Sequence, residues 1–111
     1  MPKYRASLDH VFHALADPTR RGVVERLSAG ATTTMELARP FDLSLPSFTQ
    51  HLGVLADAGV VRSTKTGRVR TYELVPDALD PADTWLAEQR RQWEQRLDRL
   101  DAFVRNLASS P

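Results

Sequence analysis

Ser44, Ser47, Thr49, Gln50 and His51 crowd short hydrogen-bonding side chains into one stretch, and Arg68 and Arg70 follow at a spacing of two. Hydroxyls and a carboxamide held at the start of a helix can exchange hydrogen bonds with base edges. A glutamine can pair bidentately with adenine, and small hydroxyls serve any base. Arginines suit the phosphates on either side of a groove. The chemistry so offered is recognition of double-stranded DNA rather than catalysis. Ser, His and Asp all occur, but the chain has no nucleophile-elbow glycine pattern, no phosphate loop and no cysteine, so no catalytic residue is assigned.

The elements that must carry these groups can be read around them. Ser44 is placed to cap a helix, Pro46 falls in the first turn where its missing N–H costs nothing, and Phe48, Leu52 and Leu55 share one face. Asp57-Ala58-Gly59 ends that helix. Two strands, Val60-Val61-Arg62-Ser63-Thr64-Lys65 and Arg68-Val69-Arg70-Thr71-Tyr72-Glu73-Leu74, flank a turn at Thr66-Gly67. On such a strand Arg68 and Arg70 face the same side, and they are the wing contacts of choice, with Arg62 and Lys65 behind them. No acid lies between Val60 and Tyr72. A solvated edge hairpin kept from aggregating by its charges would look the same. Its place directly after the polar helix favours a phosphate-gripping wing.

Upstream, Leu8, Val11, Phe12 and Leu15 recur at helical spacing and predict a helix over 7–16. Asp17-Pro18 is a cap and N1 proline opening a second helix through Val23, Val24 and Leu27, closed by Ser28-Ala29-Gly30. Arg20 and Arg21 at its start suit salt bridges as well as they suit DNA. Thr32-Thr33-Thr34 offers caps, with Thr34 preferred, for a short helix carrying Met35, Leu37 and Ala38 that must stop before Pro40. Two short helices a few residues apart, then a hairpin, make a winged helix-turn-helix. The expected class is mainly α with a small β-hairpin wing. Within one domain spanning 1–111, the helix-turn-helix takes 34–58, the wing 60–74 and a C-terminal helix 81–107.

That last helix differs in character. Asp80-Pro81-Ala82-Asp83 supplies a cap, an N1 proline and an acid suited to the helix dipole, and no Gly or Pro interrupts before Leu107. Leu86, Trp93, Leu97, Leu100, Val104 and Leu107 nearly keep a heptad seam, with Arg90 as its polar gap. Trp85 and Phe103 widen it. Two coverings are open: the chain's own first helix, or the same helix of a second copy. The extent of the pattern favours a homodimer through the terminal helices, with Leu8, Phe12, Leu86, Trp93, Leu97, Leu100 and Val104 at its interface.

The whole chain sets bounds. With 111 residues and 41% hydrophobic content it has room for one modest core. No run reaches the ~20 apolar residues of a membrane span, and Met1-Pro2-Lys3-Tyr4-Arg5 is not followed by a signal-peptide core, so a cytoplasmic protein is expected. Without cysteine, disulfides and thiolate metal sites are excluded. His10 and His13 are spaced to share a metal, but no acid or cysteine clearly completes the site, and a structural or solvent-facing role is preferred. No cofactor is expected.

Taken together, Ala14-Leu15-Ala16-Asp17-Pro18-Thr19-Arg20-Arg21, Met35-Glu36-Leu37-Ala38, Leu43-Ser44-Leu45-Pro46-Ser47-Phe48-Thr49-Gln50-His51-Leu52, Ala58-Gly59-Val60-Val61 and Gly67-Arg68-Val69-Arg70-Thr71-Tyr72-Glu73-Leu74 resemble the ArsR/SmtB family of winged-helix repressors. The resemblance covers residues 7 to 107. It implies a homodimeric transcriptional repressor whose recognition helices enter successive major grooves of an imperfect palindrome, released by an unidentified small-molecule effector or by dilution. Departures stand beside it. Where metal sensors of the family carry Cys-x-Cys, this chain has Thr34, Met35 and Glu36, and its last helix has no histidine. The resemblance is therefore to the metal-free branch. Gly53 and Gln50 replace basic residues common in the recognition helix, which shifts phosphate contact to the wing. The competing reading is a winged helix used only for protein interaction. Its weakness is the uniformly basic wing, since protein interfaces deplete lysine.

Overall fold

A computed structural model describes residues 3–109, with side chains from residue 7 onward. The reading of the opening segment falls mainly on residues whose backbone or side chains lie outside that description.

Helix α1 runs Lys3–Leu15 and α2 Pro18–Leu27. A two-residue strand β1 (Thr32–Thr33) leads into α3 (Thr34–Ala38), and α4 covers Leu45–Asp57. Strands β2 (Val61–Thr66) and β3 (Val69–Leu74) form the hairpin, and α5 runs Asp80–Ser109. Capping fixes the boundaries. The Asp17 carboxylate accepts from the Arg20 backbone N–H at 3.1 Å, with Pro18 in the first turn. Thr33 caps α3 by accepting from the Glu36 N–H, so the expected cap Thr34 is one residue too late; its hydroxyl instead donates to the Arg70 carbonyl at 3.3 Å. Ser44 caps α4 as expected.

The sheet differs from the expected hairpin by one strand. β1 pairs antiparallel with β3, Thr32 against Tyr72 and Thr33 against Thr71, giving the order β1-β3-β2. Two residues are too few to show a period-two pattern, so this strand exists only through its distant partner. The turn also shifts. Thr66 pairs with Val69, which leaves Gly67-Arg68 as a two-residue loop with Gly67 at φ 63°. A positive φ at the first loop position alone is the signature of a type II′ turn. Arg68 therefore sits in the turn rather than on the strand.

The chain divides into two compact units, one up to Pro81 and one from Ala82. In the first, Val11, Val23, Leu37, Phe48, Leu52, Leu55 and Val60 are fully buried, joining α1, α2, α3 and α4 to the base of the hairpin. Leu8 is buried as well, at 7% exposure, so the expected interface residue already serves this core. Phe41, in the loop before α4, stacks obliquely on Phe48 with ring centroids 5.2 Å apart. The ring fits because residue 22 is glycine: a Cβ there would lie 2.9 Å from Phe41 Cε1. In the second unit, Glu88–Arg91 and Asp101–Arg105 pairs brace the helix surface at 2.7 and 2.9 Å.

Candidate nucleic-acid interface

Burial of Phe48, Leu52 and Leu55 fixes the rotation of α4. Gln50 lies two residues beyond Phe48, about 200° around the helix, and so points away from the core. Ser47 and Thr49 flank it, and all three are exposed. At the helix start, Ser44 Oγ accepts from the Ser47 N–H at 3.3 Å and donates to Ser47 Oγ at 3.0 Å. The Thr49 hydroxyl donates to the Leu45 carbonyl at 2.8 Å, which leaves its oxygen to accept. Pro46 has no N–H, and Ser47 and Phe48 give theirs to Ser44, so of the first-turn groups the Leu45 N–H is the one left to suit a phosphate.

His51 is differently engaged. Its Nδ1 lies 3.1 Å from Arg20 Nη1 and 3.7 Å from Asp17 Oδ2. A guanidinium only donates, so at the shorter contact Nδ1 accepts and the ring proton sits on Nε2. Arg20 also donates through Nε to the Ala14 carbonyl (2.7 Å) and through Nη2 to the His13 carbonyl (3.1 Å), while Arg21 reaches the Leu15 carbonyl at 2.8 Å. These arginines satisfy the open C-terminal carbonyls of α1. Neither forms the expected salt bridge among the described residues. The Asp17 carboxyl is held below the usual carboxylate range, first by the Arg20 N–H and, against some desolvation, by the Arg20 charge and by that of the His51 ring when it is protonated.

On the wing, Arg62 faces Glu73 directly across the ladder and bonds it at 2.7 Å, so its charge is matched. Arg70 donates to Ser63 Oγ at 2.7 Å, a neutral partner. Among the described residues neither Lys65, Arg68 nor Arg70 forms an ion pair. Arg68 and Arg70 still meet, not through strand alternation but because both line a depression of ≈ 360 Å³ with Thr33, Thr34, Met35 and Leu45. The wing tip and the starts of α3 and α4 thus form one surface. Its uncharged polar part comes from Thr33 and Thr34, its apolar part from Met35, Leu45 and Val69, and its cationic part from the hairpin arginines.

Residues 15–64, from the end of α1 into β2, match a helix-turn-helix domain model. The chain is 46% identical over 79 residues to the HTH-type transcriptional regulator Rv2034 of Mycobacterium tuberculosis, covering 71% of this chain and 73% of the relative. The crystal structure of an ArsR family transcriptional regulator superposes with a TM-score of 0.79 at 49% identity, covering 85% of this chain and 97% of the other. The chain belongs to the ArsR family of transcriptional regulators. A further relative in sequence is the arsenical resistance operon repressor of Escherichia coli, 35% identical over 100 residues, 88% of this chain and 82% of that one. As an ArsR-family regulator, the chain carries a DNA-binding helix-turn-helix domain within residues 15–64.

The chain has no cysteine, and among the described residues no three His, Asp or Glu side chains are grouped to hold a metal ion. His10 and His13 instead border a shallow depression of ≈ 240 Å³ beside Val54, Asp57 and Ala58. Among the described residues, no helix is long and apolar enough to cross a membrane.

Proposed function

We propose that the chain is a cytoplasmic, homodimeric repressor that binds a palindromic operator in double-stranded DNA and has no catalytic activity. Ser47, Thr49 and Gln50 read base edges, Ser44 and the α4 N-terminus take a phosphate, and Arg68 and Arg70 grip the backbone from the wing. His51 supports the helix through Arg20 and offers its Nε2–H to a phosphate. The observation that carries this reading is the depression in which the first residue of α4, Leu45, meets Arg68 and Arg70, two arginines without carboxylate partners among the described residues, while Gln50 stays exposed farther along the same helix.

The dimer pairs α5 of two copies, with Phe12 contributing from α1. Support comes from the apolar seam of α5, where Trp93, Leu97, Leu100 and Val104 are all more than half exposed in the single chain. Exposed apolar area of that extent marks an interaction surface. Repressor action is supported by two relatives named as repressors, from Escherichia coli and, as SdpR, from Bacillus subtilis. Release follows from a small-molecule effector or from dilution of the dimer.

The test is fluorescence anisotropy on DNA from just upstream of the gene, beside a scrambled duplex, at two salt concentrations. A preference for the upstream DNA of ~10³ or more is the expected result. Equal, weak binding to both counts against operator recognition at that site, and no binding even at low salt makes the winged helix a protein-interaction module.

A further inference from the structure

In the unit that ends at Pro81, the large apolar side chains that stay exposed among the described residues are Met35, Leu43, Leu45, Val69 and Leu79. All but Leu79 converge on one place. Met35 belongs to α3, Leu43 and Leu45 to the approach and first residue of α4, and Val69 to the start of β3. They line two depressions that share Met35 and Leu45, of ≈ 360 and ≈ 300 Å³. Met35 is 66% exposed and Val69 51%, the cost of keeping them there unmet by any covering element of this unit. The rim is cationic. Arg68 and Arg70 stand on the wing side and Arg39, paired with Glu36 at 2.6 Å, on the other; no acid lines either depression.

We propose that this apolar shelf seats the deoxyribose face of the DNA strand that passes between the recognition helix and the wing. The inference rests on the DNA-binding reading of α4 and the hairpin. A nucleic-acid strand alternates charged phosphates with sugars that present C–H surface. An apolar floor edged by arginines has the same alternation. The shelf is continuous with Ser44 and Leu45 at the start of α4, and its unmatched charges, Arg68 and Arg70 on the wing side, suit phosphate, while Arg39 on the far side is matched by Glu36. The contact is independent of sequence, and because no counterion is released by an apolar group, it is independent of salt.

Leu45→Ala and Val69→Thr, separately and combined, test this; Val69→Thr keeps the branched shape suited to a strand. Binding is measured by anisotropy on three duplexes: upstream DNA, a scrambled sequence, and upstream DNA with uracil in place of thymine. Each is titrated over a range of salt, with far-ultraviolet circular dichroism to verify the fold. The double variant is expected to lose about tenfold in affinity, equivalent to ~1.4 kcal/mol, on all three duplexes alike with an unchanged salt slope. Undiminished affinity overturns the proposal. So does an altered slope, which makes the apolar groups mere supports for Arg68 and Arg70. A loss confined to thymine-containing upstream DNA overturns it in favour of methyl-group readout. A changed sedimentation coefficient with DNA affinity intact overturns it in favour of a second copy. If the wild type binds no duplex, the DNA-binding reading falls as well; a binding wild type with unaffected variants sinks the shelf alone.

Discussion

Arg20 Nη1 donates to His51 Nδ1 across 3.1 Å, and this one bond ties the N-terminal turn of α2 to the recognition helix. The same guanidinium holds the last carbonyls of α1, so three helices meet on one side chain. Arg20→Ala leaves the Ala14 carbonyl and the His51 ring without that donor, while the His13 carbonyl keeps the Ala16 N–H. The expected loss is about 1–3 kcal/mol of unfolding free energy, read from the midpoint of urea denaturation. Arg20→Lys supplies charge without the planar fork and is expected to restore only part of it. Equal stability of Arg20→Ala and the wild type would show that the network is ornamental.

Two glycines in helices should respond oppositely to alanine. At residue 22 the new methyl meets the Phe41 ring, itself packed on Phe48, and overpacking is expected to cost about 1–3 kcal/mol. The gain in helix propensity, at most ~1 kcal/mol, offsets only part of that. At residue 53 no atom lies within 4 Å, so Gly53→Ala is expected to stabilise by about 0.5–1 kcal/mol. Thermal melts of the two variants beside the wild type decide both signs.

DNA contacts separate by their response to salt and sequence. Gln50→Ala is expected to narrow the gap between upstream and scrambled DNA by ~1–3 kcal/mol. Arg68→Ala should weaken both about equally and reduce the slope of log K against log salt by about one. Swapped phenotypes would reverse the assigned roles.

Acid should act on the Asp17 cap. Its folded carboxyl is held below the ordinary value of 3.8, so the charged form favours folding. That contribution is fully present above the ordinary carboxylate range and is lost as pH falls through the depressed folded value. Asp17→Asn keeps a capping oxygen and removes the titration. Stability curves of variant and wild type should therefore converge as pH falls below about 4. A constant separation down to strongly acid pH would exclude Asp17 as the source.

The α5 seam predicts a concentration-dependent dimer. Leu97→Glu places a charge in the middle of the apolar face and is expected to shift sedimentation from dimer to monomer, with helix content retained. DNA affinity should fall with it, because two half-sites can no longer be held at once. A Leu97→Glu dimer of wild-type stability would place the interface elsewhere.

Legibility followed the range of the interaction. Helices α2 and α4 were readable because a cap, an N1 proline and a 3.6-residue apolar repeat lie within a few residues of one another in Asp17-Pro18 and Ser44-Leu45-Pro46. The hairpin was readable from alternation and a glycine, but the turn position was off by one, because register depends on which residues pair across it. Arg62 stood level with Lys65, behind Arg68 and Arg70, until the ladder set Glu73 opposite it.

By itself, the sequence determined the starts of α2 and α4 set by their caps, the buried face of α4 and hence the exposure of Gln50, and the absence of thiol chemistry, since each depends on residues close together or simply absent. Tertiary structure decided what depends on partners far along the chain. It made Thr32–Thr33 a strand against Thr71 and Tyr72, turned His51 toward Arg20, required glycine at residue 22 beneath Phe41, and gathered Met35, Leu45 and Val69 beside Arg68 and Arg70. Local periodicity carries no trace of such pairings, because they are fixed by how helices and strands pack once formed, and not by any residue's own conformational preference.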